Sequence, residues 1–127
     1  MQAEELIRRY QAGERDFRWA DLTGIDLTGV SLPRVNLSGA DLAGSKLTGA
    51  NLRGANLETA DLSMVDLTDA DLTDADLRGA YMRWVRLSGA RLTGANLTGA
   101  VVTEGRLNVA RSLEGTILPN GRELARL

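Results

Sequence analysis

Seven carboxylates crowd one stretch of this chain. They are Glu58, Asp61, Asp66, Asp69, Asp71, Asp74 and Asp76, with no basic residue between Arg53 and Arg78. Paired carboxylates perform general acid–base chemistry, and a dense acidic band can imitate a phosphate backbone. For catalysis these lack partners. The sequence has no histidine and no cysteine, which removes the commonest general base, the thiol nucleophile and most transition-metal ligands. Its glycines never lead into the GK[ST] sequence of a phosphate loop. The aspartates recur at fixed spacing, as solvated surface positions do. The expectation is therefore no enzyme, no cofactor, no metal site and no small-molecule substrate.

A second group departs from its surroundings by being mostly apolar. Met64, Tyr81, Trp84 and Val101 stand at positions that are mostly polar or glycine elsewhere in the chain, and Arg83 lies among them. Large exposed apolar patches mark contacts, and Trp, Tyr and Arg are the side chains favoured there. Whether the two groups form surfaces depends on the elements that carry them.

Those elements are units of five. The unit centres are Leu22, Leu27, Leu32, Leu37, Leu42, Leu47, Leu52, Leu57, Leu62, Leu67, Leu72, Leu77, Met82, Leu87, Leu92, Leu97, Val102 and Leu107. Two residues before each centre stands a small or β-branched residue, as in ADLTG and ANLRG. On an α-helix, five steps of about 100° would spiral the leucines around the whole surface. In one continuous strand an odd spacing would send them to alternate faces. A short extended piece followed by a two-residue turn resolves the conflict. The small residue and the leucine then share the inner face, and glycine fills the turn position that needs positive φ. Such a chain winds into a coil with leucine and alanine inside.

The tandem A-[DN]-L-x-x units over roughly residues 15–119 resemble the pentapeptide-repeat family. The resemblance implies an all-β fold, a right-handed quadrilateral β-solenoid with four units per turn. Here that means about 4.5–5 coils behind a short N-terminal α-helical cap. Residues twenty apart then stack. One row reads Asp26, Lys46, Asp66, Arg86, Arg106, and another Ser31, Asn51, Asp71, Arg91; opposite charges meet at most steps, though not between Arg86 and Arg106.

Three segments follow. Residues 1–14 read as a capping helix over 3–12, with Leu6, Ile7 and Tyr10 on one face, Glu4–Arg8 and Glu5–Arg9 pairs, and Gly13 as terminator. A solenoid end needs such a cover for its open apolar cross-section. Residues 15–109 form the regular solenoid, opening with Phe17 as a variant centre. Residues 110–127 are a degenerate last coil and tail, in which Ile117 returns to phase and Leu124 and Leu127 cover the end or meet a second molecule. Trp19 is expected to pack on Tyr10 or Leu6, while Pro33 is a tolerated local feature at a turn. The YQAGERDF segment (residues 10–17) and the TILPNG segment (116–121) also resemble opening and closing motifs within the family.

The formal charge of −2, with one lysine, Lys46, predicts neither direct nucleic-acid binding nor membrane attraction. Without an apolar leader or an eighteen-residue apolar run, the chain is expected in the cytoplasm. The leading functional expectation is a non-catalytic scaffold or protein–protein interaction module. Its partner is an unidentified protein or a second copy docking on the C-terminal half through Met64, Tyr81, Arg83, Trp84 and Val101. A fold-back of the tail over that patch is the competing reading. Some family members inhibit type II topoisomerases as DNA mimics, and some in filamentous phototrophs influence differentiation through protein contacts. The resemblance therefore offers the acidic band as a gyrase-directed alternative. A purely structural repeat without a partner is the third.

Overall fold

The computed structural model describes residues 1–124, apart from the Glu104 side chain. Helix α1 spans Ala3–Gln11 and helix α2 spans Glu104–Leu107. Between them each five-residue unit places one residue in a parallel β-bridge and then turns. The bridges join residues twenty apart, and twenty-one at the last step of two rows, in four rows that each define a face. The first face carries Asp21, Asp41, Asp61, Tyr81 and Val101; the second carries Asp26, Lys46, Asp66 and Arg86. Ser31, Asn51, Asp71, Arg91 and Ser112 lie on the third, and Asp16, Asn36, Asn56, Asp76, Asn96 and Ile117 on the fourth.

The unit's chemistry makes this local geometry. Each turn closes with a bond from the residue after it back to the preceding centre, as Ala50 N–H donates to Leu47 C=O at 3.0 Å. The third residue of that turn has positive φ, +67° at Gly49. Successive coils are tied by backbone bonds, for example Leu67 N–H to Arg86 C=O at 2.8 Å and Asp66 N–H to Ser45 C=O at 3.1 Å.

Inside, the centres from Leu22 to Leu97, Met82 among them, are at most 1% exposed, with alanines and valines beside them in one continuous core. Val102 is only partly buried; Leu107 is buried but projects from α2 rather than from a bridged unit. Helix α1 belongs to the same core: Leu6 is fully buried, and the Tyr10 hydroxyl donates to Pro33 C=O at 2.7 Å. Pro33 is thus an anchor for the helix as well as a turn residue. Arg9 bonds Glu5 at 3.1 Å and also Glu14, and its guanidinium lies 5.1 Å from the centroid of the buried Phe17 ring. No Glu4–Arg8 ion pair forms among the described residues.

Three expectations are corrected. Trp19 does not pack under the helix; it is 76% exposed, and its ring lies over Gly39 one coil on, where an added Cβ would come within 2.2 Å. Arg106 does not stack on Arg86, because α2 consumes one extra residue and the register becomes twenty-one: Arg91 bridges Ser112 and Asn96 bridges Ile117. For the same reason Ile117 faces outward in its bridge while Leu118, 8% exposed, takes the inner position. Thr116 is fully buried beside it, its hydroxyl donating to Leu92 C=O at 2.7 Å. A single inserted residue exchanges inner for outer in an alternating chain.

Candidate functional site

Coils twenty residues long bring the two groups singled out in the sequence onto adjoining parts of one surface. The acidic band occupies one coil. Asp61, Asp66, Asp71 and Asp76 are the bridge residues of its four faces, while Asp69 and Asp74 sit at turn positions with φ near +60°. The bridge aspartates are not merely solvated. The Oδ1 atoms of Asp61, Asp66 and Asp71 each accept the backbone N–H two residues on, from Ser63, Thr68 and Thr73, at 3.0 Å. Asp76 accepts from Arg78 N–H at 3.1 Å. These are Asx turns, which give the backbone a side-chain partner where the chain bends. Sequence reading missed this role, although the recurrent D-L-T triplet carries its signature. The Thr68 hydroxyl, opposed by burial and helped by the Thr68 backbone N–H, holds the Asp66 carboxyl below its ordinary range. At Asp71 burial raises the pKa, but Thr73 and Arg53 outweigh it and the net shift is downward.

Arginines from the neighbouring coils reach into the band. Arg53 meets Asp71 at 3.0 Å, and Arg78 meets Glu58 at 3.2 Å and Asp76 at 2.7 Å. Opposing charges this close cancel the far field that a phosphate mimic requires. Exposed pairs of this kind contribute ~0–1 kcal/mol each.

The apolar group is exposed. Tyr81 and Val101 bridge directly on the first face, at 53% and 37% exposure. Met64 and Trp84 occupy the same corner one coil apart, at 59% and 62%. Both have φ near +58°. Only glycine enters that region freely, and bulky side chains are strained there by ~1–2 kcal/mol. Arg83 is exposed beside them. The described tail does not cover this column. Glu123 pairs antiparallel with Ile117 on the fourth face, and Leu124 N–H donates to Thr116 C=O at 2.8 Å. The role expected for Leu127 lies outside the described residues. A cleft of about 640 Å³ opens beside the column, between Trp84 and Arg106, and is floored by Ala100–Thr103. No group of His, Cys, Asp and Glu side chains suited to a metal ion occurs among the described residues.

Eight copies of the Pentapeptide repeats family model match the chain, over residues 16–49, 36–74 and 66–103. The chain belongs to the pentapeptide-repeat family. Among solved structures it resembles HetL, a pentapeptide repeat protein involved in heterocyst differentiation regulation in the cyanobacterium Nostoc sp. strain PCC 7120. Identity to HetL is 40% over 79% of this chain and 44% of that one, with a TM-score of 0.50. A pentapeptide repeat protein of the Arabidopsis thaliana thylakoid lumen is 34% identical over 80% of this chain and 66% of that one, with a TM-score of 0.52. A second Nostoc PCC 7120 repeat protein is 48% identical over 78% of each chain, with a TM-score of 0.44. The chain thus spans less than half the length of HetL. No curated protein shows significant sequence similarity to it. The family fixes the β-helical fold of this pentapeptide repeat protein.

Proposed function

We propose that this pentapeptide repeat protein is a non-catalytic, cytoplasmic interaction module. Its body is a right-handed quadrilateral solenoid of about 4.5–5 coils. Residues 1–14 act as the N-terminal cap, residues 15–109 as the repeat body, and residues 110–127 as the closing segment. The contact surface is the column of Met64, Tyr81, Arg83, Trp84 and Val101 on the C-terminal half, and the partner is another protein. One observation carries this reading: Met64 and Trp84 take strained backbone positions while leaving most of their apolar surface in water. Gly24 and Gly44 hold the same corner without strain, and bulky apolar side chains kept in water there suit a contact site. The likeness to HetL supports a regulatory setting. The acidic band is the weaker site, because Arg53 and Arg78 already engage it.

The test is association measured with the wild-type chain and with a Tyr81→Ser, Trp84→Gly double variant. Solution mass across a concentration series reads self-association, and capture from host extract, compared between the two forms, reads a partner. Loss of a defined association in the variant supports the module. Unchanged behaviour in both assays would leave a structural repeat without a partner.

A further inference from the structure

Backbone bonding between coils follows one rule, and the rule exposes an open edge. On the first face, Tyr81 N–H donates to Ala60 C=O at 2.9 Å and Leu62 N–H donates to Tyr81 C=O at 2.7 Å. One coil on, Val101 N–H donates to Ala80 C=O, and Met82 N–H donates to Val101 C=O, both at 2.9 Å. The next bonds in the series would engage Ala100 C=O and Val102 N–H. On the third and fourth faces the equivalent groups are met by Arg111, Ser112 and Ile117. On the second face α2 intervenes, and the Arg106 guanidinium donates to Val85 C=O at 3.0 Å in place of a backbone amide. On the first face no described residue meets Ala100 C=O or Val102 N–H. An unpaired edge of this kind is a template for another strand.

We propose that the Ala100–Val102 edge accepts one extended segment of a partner protein whose residues alternate apolar and acidic. The inference rests on the interface reading above and names the partner's chemistry. Strand addition supplies one residue whose N–H donates to Ala100 C=O and whose C=O accepts from Val102 N–H, repeating the bonds between coils. Side chains of an extended segment alternate in direction. Those facing inward cover Val102, which the fold leaves only partly buried, and those facing outward meet the rim. The rim is basic. Arg83 and Arg106 line the cleft beside the edge, and Glu104 is the one carboxylate in the sequence between them. Trp84 walls the same cleft. A phosphate surface would satisfy the arginines but would leave the donor–acceptor pair of the edge unmet. A peptide satisfies both.

The experiment titrates the full chain with a synthetic hexapeptide, acetyl-Val-Glu-Val-Asp-Val-Glu-amide. It follows binding by calorimetry and the Val102 amide by hydrogen exchange. The expected result is slowed exchange at Val102 on binding. Replacing the acidic residues by lysine, or N-methylating the central backbone amides, weakens binding roughly tenfold or more. Arg83→Glu weakens the acidic peptide similarly and improves the lysine peptide. Equal binding of the N-methylated peptide, or binding without a change at Val102, overturns strand addition. Val102 protection that grows with protein concentration alone would assign the edge to a second copy, which also overturns it. If the peptide fails while the Tyr81→Ser, Trp84→Gly variant still loses an association, the edge proposal falls and the interface stands.

Discussion

Ser45 occupies an inner position where most units place alanine, and its hydroxyl is buried without a hydrogen-bond partner among the described residues. An unmet buried hydroxyl costs ~1–3 kcal/mol. Ser45→Ala is therefore expected to stabilise the chain by about 1 kcal/mol, raising the thermal midpoint by roughly 3–5 °C. Leu67 lies at the opposite extreme, fully buried in a middle coil. Leu67→Asp combines a cavity with a buried charge and is expected to cost more than ~4 kcal/mol, leaving no cooperative melt. Asp66→Ser beside it keeps a short polar acceptor for the turn and should cost no more than ~1 kcal/mol. Comparable melting of the two variants would contradict the inner and outer assignments.

The turn corner is the element in which sequence and structure diverge most usefully. Glycine is the expected residue there, and Gly24 and Gly44 occupy the corner that continues to Met64 and Trp84. Replacing Met64 by glycine relieves ~1–2 kcal/mol of backbone strain and adds ~0.5–1 kcal/mol of chain entropy to the unfolded state. The balance favours Met64→Gly by about 0.5 kcal/mol. Unfolding free energies of Met64→Gly and Trp84→Gly from denaturant melts should equal or exceed wild type; a fall of more than ~1 kcal/mol would show that these side chains serve folding instead. Helix α1 is the other element whose role depends on contact. Its amphipathic pattern was readable from Leu6, Ile7 and Tyr10, but the Tyr10–Pro33 bond joins residues twenty-three apart and nothing local announces it.

At the scale of the whole molecule, stability is linked to pH through the bridge carboxylates. Asp66, Asp71 and Asp76 all have carboxyls shifted below their ordinary range in the folded chain. A depressed folded-state pKa contributes stability that is complete above the unfolded value, near ~3.9, and is lost as pH falls through the folded value. Stability should hold level from neutral pH to roughly pH 4–5 and decline below it. Removing the Thr68 and Thr73 hydroxyls, as in a Thr68→Val, Thr73→Val variant, should raise the pH of that decline, as read by circular dichroism in an acid titration. A pH profile identical to wild type would separate these hydroxyls from the carboxylates they contact.

The five-residue period determined which side chains point inward, because a two-residue spacing within an extended piece puts small residue and leucine on one face wherever the piece lies. It also determined where turns fall and that Met64, Tyr81, Trp84 and Val101 break the pattern. Only the tertiary structure decided what α2 does to the register. The extra residue shows in the chain only as Leu113 standing one place late, yet it moves Leu118 inside, turns Ile117 outward and leaves the first face without its next strand. The arginine bonds to Asp71 and Glu58 were likewise settled by which coil lies beside which, a relation set by contacts across eighteen to twenty residues that no short window of sequence contains.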